Sequence, residues 1–212
     1  MIAHHPDDAL LMAYAAGRTD EAHGLVIAAH LFFCAQCRAS VALMEKIGSE
    51  LLEDIAPEPL KDDALNTALA RLETIPPTPR RRDVSADGTP LALRPYLGGD
   101  LRDVRWRKMG PSLAYFPILR RGSTSVRLLR GAPGTEVGAH THRGMEYTLV
   151  LRGGFHDVTG SYAPGDLQVA DASLRHSPIA DAGTDCINLA VTTASLKFEN
   201  LIQKIAGPLF GF

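Results

Sequence analysis

The chain has 212 residues, 45% of them hydrophobic, which fits one or two folded domains and excludes a wholly disordered polypeptide. Its net charge of −2 is unevenly divided: residues 1–85 carry 8 Lys+Arg against 13 Asp+Glu, a net of −5, and residues 86–212 carry 14 against 11, a net of +3. The acidic first part argues against direct nucleic-acid binding there and suits a basic protein partner, because complementary potentials steer encounter.

The opening stretch, MIAHHPDD, has no basic run and no small-residue cleavage site, so no signal peptide is expected. Asp7 and Asp8 open a first predicted helix over residues 9–16, and Gly17 closes it. A second, long helix is predicted from the TDEA of residues 19–22 to about Lys46. A third is predicted over residues 49–54, and a fourth over residues 60–73, with Leu65, Ala68, Leu69 and Leu72 at helical spacing. The longest apolar run, residues 25–35, is interrupted by His30 and is too short to span a bilayer. A soluble, cytoplasmic protein without membrane contact is expected, in a compartment where thiols stay reduced.

Inside the second predicted helix lies HLFFCAQC, residues 30–37. His30, Cys34 and Cys37 are offset by four and seven residues, which at 3.6 residues per turn is one helix face. Thiolates and imidazole in a tetrahedral set suit Zn²⁺, and a fourth ligand can come from the N-terminal pair His4 and His5. C-x-x-C alone would also fit a redox pair, but no βαβ pattern surrounds it. Cys186 remains over, in an apolar strand-like stretch, and reads as a buried core residue. Three cysteines make no disulfide framework.

Residues 75–90 hold a cluster of prolines and the basic run Arg80 to Arg82, with nothing periodic to bury. The expected division is a helical domain over residues 1–75, a linker over 76–90 and a second domain over 91–212. Beyond Leu91 the pattern changes to short alternating segments separated by Gly, Pro and Asp. Examples are residues 125–129, 147–151, 165–170 and 187–191, which predict an antiparallel sandwich or barrel.

Within this half, Gly134, His140, His142, Glu146 and Gly153 reproduce G-x5-H-x-H-x3-E-x6-G at every fixed position. On a strand, residues i and i+2 point the same way, so His140 and His142 can face one interior. Glu146 is at an even offset from both. The spacing is that of the first motif of cupin jelly-roll barrels. The usual second motif, P-x-G-x2-H, is degenerate: Pro164-Gly165 is present, and His176 follows the glycine by eleven residues. His176 is the candidate fourth ligand. Three imidazoles and a carboxylate accept Zn, Fe, Mn or Ni.

Together these pieces resemble the zinc-binding anti-sigma factors with a C-terminal cupin, of the ChrR type. They are the N-terminal His, the H-x3-C-x2-C stretch, the Pro/Arg-rich linker, the stretch around Trp106 and the cupin motif. The resemblance implies an all-α zinc-binding domain followed by an all-β cupin. It implies a transcription regulator that binds and inhibits an extracytoplasmic-function sigma factor, and releases it under singlet oxygen or related oxidants. It points to His5, with His30, Cys34 and Cys37, as the anti-sigma zinc ligands, and to His140, His142, Glu146 and His176 around a second divalent metal, zinc foremost. The alternative is a metal-dependent cupin enzyme of dioxygenase, isomerase or hydrolase type. Nothing in the sequence marks a separate general base for it. ChrR-type cupins can carry a Cys-x-Cys pair near the chain end, whereas Cys186 is followed by Ile187 and Asn188. His23 and His156 match nothing and read as surface residues.

Overall fold

Aspartates start the first two helices. In the computed structural model, which describes residues 2–76 and 87–198, Asp7 accepts a hydrogen bond from Leu10 N (2.7 Å) and caps α1 (Asp8–Ala15). Asp20 does the same for His23 N (2.9 Å) at the start of α2 (Glu21–Phe33). Each side chain satisfies a helix-end N–H that has no partner within the helix. Gly17, at φ +65°, turns the chain between the two helices.

The long second helix predicted from sequence is two helices. The backbone is extended at Cys34 (φ −99°, ψ 105°), which ends α2 and begins α3 (Ala35–Glu53). The helix expected over residues 49–54 is the end of α3, which runs through Gly48 without a break. A helical glycine costs only about 1 kcal/mol, so Gly48 is a weak stop signal. The fourth helix, α4 (Ala64–Thr74), starts inside the expected range of residues 60–73 and runs one residue past its end.

Residues 77–86, most of the expected linker with Arg80 to Arg82, lie outside the described residues. The chain is already part of the second fold by Asp87. Its carboxylate accepts from Thr89 N (3.1 Å) and Arg102 N (3.0 Å), and Thr89 and Pro90 are buried. A short helix, α5 (Arg94–Leu97), follows.

Eleven strands come next among the described residues: β1 (Arg107–Lys108), β2 (Leu113–Arg121), β3 (Thr124–Gly131), β4 (His140–His142), β5 (Glu146–Arg152), β6 (Phe155–Asp157), β7 (Gly160–Tyr162), β8 (Leu167–Ala170), β9 (Ile179–Ala180), β10 (Cys186–Thr192) and β11 (Leu196–Phe198). They form a six-stranded sheet in the order β1-β2-β3-β10-β5-β8, a pair β11-β4 and a three-stranded sheet β7-β6-β9. Every pairing is antiparallel, as the turn-separated segments predicted.

The central strands of the large sheet are buried on both faces. Val126, Leu128, Leu149, Leu151, Leu189 and Val191 alternate along β3, β5 and β10 and share one core with Val26 and Ile27 of α2. The opposite side of the same strands carries Ser125, Arg127, Glu146, Thr148 and Thr192, also buried. Strand period two separates the sets: one packs on the helices, the other faces the site described below. Each fully buried Val, Leu or Ile contributes roughly 1.5–3 kcal/mol, so α2 is part of the protein's core and not a detachable cover.

Candidate metal centres

Two clusters of metal-competent side chains are present among the described residues: His5, His30, Cys34 and Cys37, and His140, His142, Glu146 and His176. Within each cluster the donor atoms lie within 4.8 Å of one another.

The first cluster sits where α2 passes into α3. His30 is on the last turn of α2, Cys34 occupies the break and Cys37 is on the first turn of α3. Cys34 also caps α3, its Sγ accepting from Cys37 N at 3.4 Å. The break therefore brings the three side chains together, in place of the single helix face inferred from spacing. His5 enters from the N-terminal segment, its Nδ1 at 3.4 Å from both Cys34 Sγ and Cys37 Sγ. His4 points elsewhere: its ring lies against Tyr162 with centroids 4.3 Å apart.

These distances fit a bound ion. Zinc with bonds of about 2.3 Å to sulfur and about 2.0 Å to nitrogen has S···N tetrahedral edges of about 3.5 Å. The observed S···N separations include 3.3 Å (His30 Nε2 to Cys37 Sγ) and 3.4 Å. Burial pushes the His30 imidazole down to about 4, so it is neutral and able to ligate at neutral pH. Burial, with the Cys34 thiol beside it, pushes the Cys37 thiol up to about 12. A thiolate pair here needs a cation to hold it, and a divalent ion supplies that charge.

The second cluster lies on the polar side of the large sheet. His140 and His142 are the ends of β4, and both are buried. The strand stops after His142, and Glu146 opens β5 beyond a bend. His176 joins by an isolated antiparallel bridge to His140, each main-chain N–H donating to the other's carbonyl (3.1 and 3.2 Å). His140 Nδ1 donates to Gly138 O (2.8 Å), and His176 Nδ1 donates to the Asp157 carboxylate (2.7 Å). Both rings therefore turn Nε2 toward the cluster, the arrangement outer partners impose on ligating imidazoles.

Three features mark the second cluster as a place for a cation. His142 Nδ1 is buried with no hydrogen-bond partner. His142 Nε2 and His176 Nε2 face each other at 3.0 Å. Two neutral imidazoles can share only one proton across that gap, whereas an ion takes a lone pair from each. The carboxylate of Glu146 lies 3.7 Å from His142 Nδ1. Burial pushes it up to about 7, against the attraction of Arg127. Burial likewise pushes His140 and His142 down to about 4.

The structure thus brings every expected site residue into one of the two clusters. Sequence reasoning missed Asp157, Gly165 and Asp166. His30 Nδ1 donates to Gly165 O at 2.9 Å, and the Asp166 carboxylate accepts from Ala3 N (2.7 Å), His4 N (2.9 Å) and Ala163 N (2.9 Å). The only signal was the Pro-Gly-Asp turn of residues 164–166. Cys186 is buried, its thiol pushed up to about 11 by burial. His156 is exposed and pairs with Asp181 (2.8 Å). His23 is partly covered, bonded to Asp20 and edge-on to Tyr147 with centroids 5.1 Å apart. No helix among the described residues is long and apolar enough to cross a membrane.

Comparison with known proteins agrees with this geometry. Residues 97–195 match the family described as the ChrR Cupin-like domain. The chain is 42% identical over 212 residues to the anti-sigma-E factor ChrR of Cereibacter sphaeroides, covering 99% of this chain and 98% of that protein. It is also similar to a chain in the crystal structure of Rhodobacter sphaeroides SigE in complex with the anti-sigma ChrR. That likeness has a TM-score of 0.77 and 41% identity, and covers 91% of this chain and 99% of that one. With a cluster of two cysteines and two histidines at the helices, a cluster of three histidines and a glutamate in the cupin-like fold, and this degree of identity along its whole length, the chain belongs to the ChrR family of anti-sigma factors.

Proposed function

We propose that the protein binds an extracytoplasmic-function sigma factor through its helical half, keeps it inactive in the cytoplasm, and releases it when singlet oxygen or a related oxidant acts on the cupin half. The observation that carries this reading is the outward face of α3 and α4. Leu43, Ile47 and Leu51 of α3, and Leu65, Leu69 and Leu72 of α4, are 51–70% exposed. No residue of α4 is buried. Apolar side chains repeating along two consecutive helices and left open are a protein-docking surface. The net charge of −5 over residues 1–85 gives that surface the sign to meet the basic, promoter-binding surfaces of a sigma factor. The solved relative is itself a sigma–anti-sigma complex.

The first cluster, with two thiolates and two imidazoles, is read as a zinc site that fixes the angle between α2 and α3 and so presents α3 to the partner. Bound zinc supplies the positive charge that keeps Cys34 and Cys37 as thiolates. Cys34 and Cys37 hold the start of α3, His30 holds the end of α2, and His5 ties down the N-terminal segment. The second cluster takes a divalent ion, zinc foremost, with Fe, Mn or Ni also suited to three imidazoles and a carboxylate. This is a regulator and not an enzyme. The cytoplasm, with its reduced thiols, is where such a thiolate site persists.

The test is co-purification with the sigma factor encoded in the same genome. Ile47→Asp and Leu51→Asp place charges on exposed positions and should leave the fold and metal content intact. Each should weaken the complex by at least about 2 kcal/mol, the size of an interface hot spot. Unchanged affinity in both would remove the α3 face from the interface.

A further inference from the structure

The two clusters are joined by a continuous set of contacts confined to β6, β7, β8 and the turns between them. On the cupin side, His176 Nδ1 donates to Asp157 Oδ2 (2.7 Å). The other oxygen of Asp157 accepts from Thr159 N (2.7 Å) and Thr159 Oγ1 (2.5 Å). Thr159 Oγ1 in turn meets the Tyr162 hydroxyl at 2.8 Å. Gln168 Nε2 braces the pair, donating to Asp157 Oδ2 (2.8 Å) and Thr159 Oγ1 (2.9 Å). The Tyr162 ring then lies on the ring of His4, with centroids 4.3 Å apart.

On the other side the same short segment grips the first cluster twice. Asp166 Oδ1 accepts from Ala3 N and His4 N, and Leu167 N donates to His4 O (3.1 Å). These fix the two residues immediately before His5. Gly165 O accepts from His30 Nδ1, which leaves His30 Nε2 for the cluster. Thr159 is exposed, but the two carboxylates that anchor these networks are not: Asp166 is 3% exposed and the Asp157 side chain is fully buried. In such surroundings hydrogen bonds polarise one another, and a half-made network is costly.

We propose that residues 157–168 couple the two metal clusters, with Asp157, Tyr162 and Asp166 as positioning residues that transmit the state of His176 to His5 and His30. The inference rests on the reading of both clusters as metal sites, and gives the cupin a physical route to the sigma-binding half. When His176 is held by an ion, its Nδ1–H is aimed at Asp157. Asp157 then fixes Thr159, Thr159 fixes Tyr162, and Tyr162 packs the His4 segment against Asp166. When His176 is released, that order is lost and the grip on His5 loosens. Binding linkage makes the effect reciprocal: loss of the first metal must weaken the second by the same factor.

The clusters can be read separately in the full chain loaded with Co²⁺. Only the first has sulfur donors, so only it gives a thiolate-to-cobalt charge-transfer band. The experiment follows decay of that band under excess chelator in the unmodified chain, His176→Ala, Tyr162→Phe and the double variant. Tyr162→Phe keeps the ring on His4 and removes only the hydroxyl link to Thr159. His176→Ala should speed decay of the first-cluster band at least about fivefold, the low end of site-to-site coupling. The double variant should show clearly less than the product of the two single effects. Asp157→Asn, which leaves all eight donors in place, should also speed decay, and serves if His176→Ala fails to fold. Decay rates that multiply independently, or an Asp157→Asn rate equal to that of the unmodified chain, would overturn the link while the metal reading stands. An unmodified chain with no thiolate–cobalt band would overturn the metal reading of the first cluster, and the link with it.

Discussion

His30 and Gly165 are 135 positions apart in the chain, yet the His30 imidazole donates Nδ1–H to the Gly165 carbonyl at 2.9 Å. One ring nitrogen of the first cluster is thereby committed to the cupin half, and the other is left for a metal. The turn can come this close because it has no side chain. Gly165 has φ +94°, and a Cβ there would sit 2.7 Å from Ile2 Cδ1 and 2.8 Å from Phe33 Cβ. Ile2 can swing aside, but the Phe33 Cβ is fixed to the end of α2.

Gly165→Ala should therefore destabilise the metal-loaded chain by at least about 2 kcal/mol, combining left-handed backbone strain with overpacking. Gly17 is the control. It also has positive φ, but nothing lies within 4 Å of its would-be Cβ, so Gly17→Ala should cost only about 1 kcal/mol. Urea midpoints of the two variants measure the difference. Equal losses would mean that the close approach at Gly165 contributes nothing.

How much of this was legible in the sequence follows from which contacts are local. His140 and His142 were legible because strand period two forces both side chains to one side. Glu146 and His176 were legible through spacing, even though the strand breaks between His142 and Glu146. The H-x3-C-x2-C stretch pointed to side chains that do come together, but through the wrong geometry. Nothing in the apolar run of residues 25–35 marks a break, and the extended backbone at Cys34 is sustained by its own cap to Cys37 N and by the packing of α2 on the sheet. Asp157 and Asp166 could not be found, because their partners are set by tertiary pairing. The bond from Ala3 N to Asp166 spans 163 positions. The expected division into separate helical and cupin units likewise missed the shared core of Val26 and Ile27 with Leu128 and Leu149, since apolar residues do not announce which neighbour they pack on.

Cys34→Ser separates the two tasks of Cys34. Serine is a good helix cap, so the start of α3 should persist. It is a poor ligand for a soft ion, so metal content should fall by about one ion per chain. Helicity by circular dichroism should change little while sigma binding weakens more than about tenfold. Cys37→Ser, which has no capping role, should lose the same metal. Full metal content and unchanged binding in both variants would reject the thiolate assignment.

Acid should weaken the protein in a defined window. Burial holds His30, His140 and His142 at about 4, below their ordinary 6.5. Unfolding restores the ordinary value, so between about 6.5 and about 4 the unfolded chain binds more protons. The stability these groups contribute is fully present above pH 6.5 and is lost as pH falls toward 4. Glu146 has the opposite sign. Raised from 4.5 to about 7, its contribution is present below 4.5 and lost as pH rises toward 7. Three imidazoles against one carboxyl give a net fall. The urea midpoint of the metal-free chain should drop between pH 6.5 and pH 4, and in the loaded chain bound metal should be lost over the same range because ligands must be deprotonated. A flat midpoint would show that the imidazoles are not buried neutral.

The cupin ligands should matter for release and not for holding. His140, His142, Glu146 and His176 all lie on the polar side of the large sheet, opposite the face that shares a core with α2. His140→Ala or Glu146→Ala loosens the second metal and, through His176, speeds loss of the first under chelator; where metal is plentiful the first site stays filled, so sigma binding in unstressed cells should stay within about threefold. The same variants should blunt induction of a sigma-dependent reporter by singlet oxygen. The competing sensor is a cysteine. Cys186 is a poor one: it is 3% exposed and its thiol is pushed up to about 11, so little thiolate is available to react. Cys34 and Cys37 are buried as well, and oxidising them would destroy the first cluster directly, with no need for the cupin. The two routes separate cleanly. If the cupin senses, Cys186→Ser induces normally and the four ligand variants do not. If the thiolates of the first cluster sense, all four ligand variants induce normally, and the cupin metal has no part in the signal.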